Sequence, residues 1–104
     1  MHIIKQYQFN LKDGATEKAL VDVGDKFNLE LVKLDGFLYR SLSQTENGEW
    51  LDTVYWSGAE AEEKGGKVME KPVAVEYMAL IDEASVKVTR SVVHSSIYPE
   101  MDMA

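Results

Sequence analysis

Cysteine is absent from this 104-residue chain, which removes disulfides, thiolate metal sites, iron–sulfur ligation and thiol nucleophiles together. Basic residues are few: 11 Lys and Arg stand against 18 Asp and Glu, a formal charge of −7. Sequence-independent nucleic-acid affinity comes from cations neutralising phosphates, so no nucleic acid is expected as a partner. Long hydrophobic runs are missing too. No apolar stretch approaches the roughly 18 residues that cross a bilayer, and no membrane partner is expected. Histidine occurs only as His2 and His94, near opposite ends of the chain, which does not make a metal site. The first residues enter a strand pattern at once, with no charged and apolar export segment, so a cytoplasmic location is expected.

What is present fits one domain with a single core. Ile3, Tyr7, Phe9 and Leu11 alternate with Gln6, Gln8 and Asn10, the period-two pattern of a strand over His2 to Leu11. After Asp13-Gly14, the residues Leu20, Val23, Phe27, Leu31 and Leu34 recur at steps of three or four and form one helical stripe, which Gly36 ends. Two further strand patterns, Phe37 to Thr45 and Trp50 to Trp56, flank Glu46-Asn47-Gly48-Glu49, a strong hairpin signal. Ser57 to Glu60 has capping-box spacing and starts a second helical region. Gly65-Gly66 breaks that region, and Pro72 suits the first turn of its second piece, which carries Val73, Tyr77, Leu80 and Ile81. Val86 to Ser95 returns to strand character. The order predicts an α+β, ferredoxin-like βαββαβ domain: a four-stranded antiparallel sheet with helices on one face. An RNA-recognition domain shares this order, but the chain has no basic and aromatic strand of the kind such domains use.

With Asn47 and Gly48 as a two-residue loop, Thr45 faces Trp50, Ser43 faces Asp52, Ser41 faces Val54 and Tyr39 faces Trp56. One face then carries Phe37, Tyr39, Ser41, Ser43, Trp50, Asp52, Val54 and Trp56, and the other Leu38, Arg40, Leu42, Leu51, Thr53 and Tyr55. Two helices cover one face only. Leu38, Leu42, Leu51 and Tyr55 would be wet on the other, and a homodimer with two sheets face to face is expected.

Asp52-Thr53-Val54-Tyr55-Trp56-Ser57, followed by the Ala59 and Ala61 helix start, resembles the dimeric α+β-barrel proteins of the antibiotic-biosynthesis monooxygenase-like superfamily. The resemblance extends along nearly the whole chain as an element order. It implies that residues 1–98 form a ferredoxin-like dimeric α+β-barrel domain, with 99–104 as a C-terminal tail. It implies cofactor-independent chemistry on a small aromatic or phenolic compound. Oxygenases of the group place an asparagine four residues before the strand-end tryptophan, a spacing that falls on Asp52 and Trp56. A neutral amide can donate a hydrogen bond to a developing phenolate, whereas a carboxylate is suited to taking a proton. The group's further tyrosine and arginine have no match downstream of Trp56. Haem degraders of the group need a histidine on the second helix, and residues 57 to 81 contain none.

The expected catalytic residues are therefore Asp52 and Trp56, with Tyr39, Trp56, Gly65, Gly66 and Arg90 as the residues that bind a small apolar or aromatic ligand. No cofactor and no metal are expected. Arg90 lies mid-strand among valines, where a charge needs an ion-pair partner or a bound anion. The competing reading is a non-catalytic ligand-binding or dimerisation module, with Trp56 and Tyr39 as packing. It predicts a filled interior and an exposed Asp52.

Overall fold

The computed structural model describes residues 1–97, so the expected tail at 99–104 lies outside the described residues. Strand β1 (Ile3–Phe9) and helix α1 (Glu17–Leu31) lead into strands β2 (Phe37–Gln44) and β3 (Trp50–Trp56). Helix α2 (Ala59–Gly65), a tight turn of 3₁₀ helix (Gly66–Glu70), helix α3 (Pro72–Met78) and strand β4 (Lys87–Val92) follow. The strands lie in the order β2-β3-β1-β4, all antiparallel, as a ferredoxin-like βαββαβ sheet requires. Among the described residues no helix is long and apolar enough to cross a membrane.

Local chemistry explains the element ends. Thr16 caps α1 by accepting the Ala19 N–H at 3.1 Å, and Gly36 takes a left-handed φ of +83° where the chain turns into β2. The stripe of α1 buries Leu20, Val23, Phe27 and Leu31 against the sheet, while Pro72 opens α3. The Ser57 capping box does not form. Gly58 is the N-cap of α2 and no side chain caps it. The Ser57 N–H is instead drawn to the Gly36 carbonyl at 2.7 Å, and the Glu60 carboxylate pairs with Lys64.

The hairpin differs from the two-residue loop by one residue, with wide consequences. Thr45 pairs with Glu49, its N–H donating to that carbonyl at 2.8 Å, and the Gly48 N–H donates to the Thr45 carbonyl at 2.9 Å. Glu46, Asn47 and Gly48 thus form a three-residue loop, closed by Gly48 at a φ of +91°. A one-residue slip turns every β2 side chain to the other face. Arg40 now stands opposite Val54 and Leu42 opposite Asp52, on the helix side, while Tyr39 stands opposite Tyr55. A bulge between Phe37 and Tyr39 brings Phe37 back beside Trp56, ring edge to ring face at 5.9 Å.

The helix side of the sheet therefore holds Ile3, Phe9, Trp50, Val54 and Trp56 in the core with the α1 stripe and with Ala74 and Tyr77 of α3. The open side carries Leu51, Tyr55 and Ile4, each partly covered, beside an exposed Tyr39 whose ring packs on Tyr55 at 5.7 Å. Leu38 is exposed as expected, whereas Leu42 belongs to the other side.

Candidate functional site

Asp52 and Trp56 are four apart on one strand, so they project to the same face whatever the hairpin register. Both line a cavity of about 190 Å³ between the sheet and the helices. Val54, Phe9 and Tyr7 continue the sheet wall, Phe27, Leu31 and Tyr77 form the helix wall, and Gly65, Gly66 and Val68 close one end. The exposed Met69 and Val88 stand at its mouth. Engineered apolar cavities of about 150 Å³ admit a benzene ring, so this space takes at least one aromatic ring.

Gly65 is in ordinary helical conformation at φ −63°, so its role is close approach. A Cβ there would overlap the six-membered ring of Trp56, whereas one on Gly66 would meet nothing. The indole is thus held between Phe37 and the α2 backbone.

Asp52 is 7% exposed, a charged residue buried in the core. Arg40 grips it with both arms of its guanidinium, Nε donating to Oδ1 at 2.9 Å and Nη2 to Oδ2 at 2.7 Å. The Tyr77 hydroxyl donates to the same Oδ2 at 2.9 Å and accepts from Arg40 Nη2 at 3.1 Å. Arg40 Nη1 donates to Asn28 Oδ1 at 2.8 Å and to the Gly24 carbonyl at 3.2 Å. The guanidinium also lies 5.5 Å from the ring centres of both Phe27 and Tyr77. Burial pulls the Arg40 pKa down, but the bonds and charge of Asp52 more than offset it and leave it above the ordinary value.

At the mouth, Glu62 of α2 bridges two cations that face each other across β1 and β4. Lys5 lies 3.6 Å away and Arg90 Nε donates to Glu62 at 2.9 Å. Two like charges directly opposite would repel, and the carboxylate between them removes that cost.

Of the expected residues, Asp52, Trp56, Gly65 and Gly66 meet at the cavity. Arg90 does not join its walls and is engaged by Glu62 at the rim. Tyr39 is the correction: at 54% exposed it stands on the open face, because the hairpin register turns it away from Trp56. The sequence reading missed Arg40, Tyr77, Tyr7 and Glu62. The usable signal was charge. A three-residue loop sets Arg40 on the face of Asp52, whereas the two-residue loop left that acid among serines. Among the described residues no group of three His, Cys, Asp or Glu could hold a metal ion.

Burial pushes the pKa of Tyr77 far above its ordinary 10.0, the Asp52 charge adds to the rise, and Arg40 partly opposes it. Burial, then the charges of Asp52 and Glu62, raise Tyr7 as well. Both phenols hold their protons more tightly folded than unfolded. Their contribution to stability is complete below the ordinary value of 10.0 and is lost as pH rises through their folded values. Denaturant midpoints measured above about pH 10 should therefore fall with pH, and Tyr77→Phe should flatten that slope.

No protein-family model matches the chain, and no curated protein matches it. Solved structures do. SnoaB, a cofactor-independent oxygenase from Streptomyces nogalater, superposes with a TM-score of 0.73 at 11% identity, over 92% of this chain and 96% of that one. Rv0793 from Mycobacterium tuberculosis gives 0.71 at 17% identity, over 94% and 100%. A candidate antibiotic biosynthesis monooxygenase from Chloroflexus aurantiacus gives 0.68 at 14%, over 94% and 98%. At such identities the likeness establishes the fold: the ferredoxin-like α+β fold shared with antibiotic-biosynthesis monooxygenase-like proteins.

Proposed function

We propose that this chain is a small-molecule-binding protein of the cytoplasm that works as a homodimer, holds an aromatic or phenolic compound in the cavity beside Trp56, and oxygenates it without a cofactor. One observation carries the reading: an acid and an indole share one wall of a ring-sized, mostly apolar hollow. The competing module predicted a filled interior and an exposed Asp52, and neither is found. The SnoaB likeness supports the chemistry by analogy of fold. The partly apolar open face, with Leu51, Tyr55, Tyr39 and Leu38, supports sheet-to-sheet pairing of two copies.

The ion pair bears on the aspartate that replaces the resembling group's asparagine. Arg40 neutralises the Asp52 charge, so an electron-rich ring beside it meets a dipolar pair rather than a lone anion. In the reaction, Asp52 takes a proton from an activated ring CH₂ of anthrone type. The electron pair left on carbon reduces O₂, one oxygen atom remains on that carbon as a carbonyl, and the other leaves as water with the two hydrogens. Trp56 holds the ring; Tyr39 has no part in this.

Oxygen consumption with anthrone and 1,8-dihydroxyanthrone, both of which carry the activated ring CH₂, in metal-free buffer, tests the proposal. Uptake above the uncatalysed rate is expected, falling by about 10²-fold or more in Asp52→Asn, from the lower end of the usual span for losing a general base upward. No uptake with any such substrate would overturn the oxygenase reading. One observation favours a second reading, a binding protein without chemistry: Arg40 and Tyr77 already occupy the Asp52 oxygens with three hydrogen bonds. On that reading Asp52→Asn leaves ligand affinity unchanged and there is no turnover to lose.

A further inference from the structure

Apart from the Trp56 indole N–H, which has no hydrogen-bond partner among the described residues, the polar side chains of the cavity wall can be accounted for one by one. The five N–H donors of Arg40 are all engaged, by Asp52, Tyr77, Asn28 and Gly24. Tyr77 has one proton to give, and Asp52 receives it. Glu62 is shared between Lys5 and Arg90 at the rim. Tyr7 is different. It sits on β1 beside Asp52 in the sheet register and lines the cavity, and among the described residues no side chain hydrogen-bonds its hydroxyl. Tyr7 is part of the cavity wall, and burial with the charges of Asp52 and Glu62 raises its pKa, so the phenol keeps its proton and is a donor available to a molecule in the hollow.

The surrounding charges are also compensated. Arg40 answers Asp52, and Lys5 and Arg90 answer Glu62, so among the described residues no unmatched cation inside the cavity is available for an anion. A bound hydrocarbon would displace water from the Tyr7 hydroxyl and leave it dry. Sites built this way discriminate strongly, because the analogue lacking the partner group strands a buried donor.

We infer that Tyr7 is the hydrogen-bond anchor of this cavity, and that the molecule it takes is an aromatic compound carrying an uncharged oxygen acceptor, a ring carbonyl, which receives the Tyr7 proton donor. The inference rests on the ligand-binding reading above and adds to it which atom orients the ligand and what chemical class is selected.

The test uses the full chain and three probes of one shape: 1-tetralone with a ring carbonyl, tetralin with none, and the tetralin-1-carboxylate anion. Binding is followed by quenching of tryptophan fluorescence, Trp56 being in the wall. The wild-type protein is expected to bind tetralone about tenfold more tightly than tetralin, at the upper end of what one hydrogen bond supplies, and the anion more weakly than tetralone. Tyr7→Phe should abolish the preference and leave tetralin within about twofold of its wild-type affinity. Equal affinity for tetralone and tetralin in the wild-type protein would overturn the anchor, a comparison that needs no variant. So would tighter binding of the anion, or a Tyr7→Phe variant that weakens both neutral probes alike. If no probe binds, the cavity reading itself is overturned and the anchor with it, an outcome distinct from binding without preference.

Discussion

Replacing Asp52 with alanine is expected to destabilise the fold by about 3–5 kcal/mol, the cost of breaking a buried ion pair from one side. The side chains of Arg40 and Asp52 are 6% and 10% exposed, so water cannot take over the lost bonds. The variant would leave a guanidinium held under two aromatic rings with two of its donors unpaired and the Tyr77 hydroxyl without its acceptor. For a domain of this size, about 4 kcal/mol is a large part of total stability, and the melting temperature should fall by more than 15 °C.

The two partners are not worth that amount as a pair. Most of it is the penalty of stranding one charge, and removing both tests this. Arg40→Met combined with Asp52→Leu should recover most of the loss measured in urea, because apolar groups of similar volume commonly match a buried pair. A double variant as unstable as Asp52→Ala would show that the pair contributes through geometry instead, by fixing α1 to β2 through Asn28 and Gly24.

What was legible in the sequence follows from which signals are local. The α1 stripe as far as Leu31, the start at Pro72 and the order of elements need only short windows, and these appear in the structure. Helix α1 ends at Leu31 with Val32 as its C-cap, so Leu34 falls outside the helix and Gly36 turns the chain into β2 rather than stopping α1. The shared face of Asp52 and Trp56 needs only the two-residue repeat within β3, so it survives an error elsewhere. Tyr39, Arg40 and Leu42 depended on the loop count across the hairpin. Asn-Gly suits a two-residue turn and also a three-residue loop that ends on a left-handed glycine, and the propensities alone do not separate them. Tyr77 read as one apolar position of a helix, although a buried tyrosine ordinarily needs a partner for its hydroxyl, and here that partner is Asp52.

Arg40 and Tyr77 share a physical cause. Both belong to the network around Asp52 that crosses from helix to sheet, whose hydrogen-bonded partners lie up to 37 residues apart in the chain. Charge complementarity is the only constraint in the sequence that reaches that far.

Gly65→Ala is the second change expected to have a large effect, and it acts through the cavity rather than through the backbone. Alanine suits a helical φ of −63° and by propensity alone would stabilise. The added methyl would overlap the Trp56 ring, which cannot retreat toward Phe37 without losing the edge contact at 5.9 Å. The indole must move into the hollow or α2 must lift. Overpacking of this kind costs about 1–3 kcal/mol, and an indole moved inward fills the space a ligand ring would take. Urea denaturation should show the loss of stability, and fluorescence titration should show weakened binding of aromatic probes. Gly66→Ala is the matched control. Its Cβ would meet nothing at a helical φ of −58°, so it should gain about 0.4–1 kcal/mol and leave binding intact. If both substitutions behave alike, the glycine pair is a simple break between helices and the Trp56 wall does not depend on it.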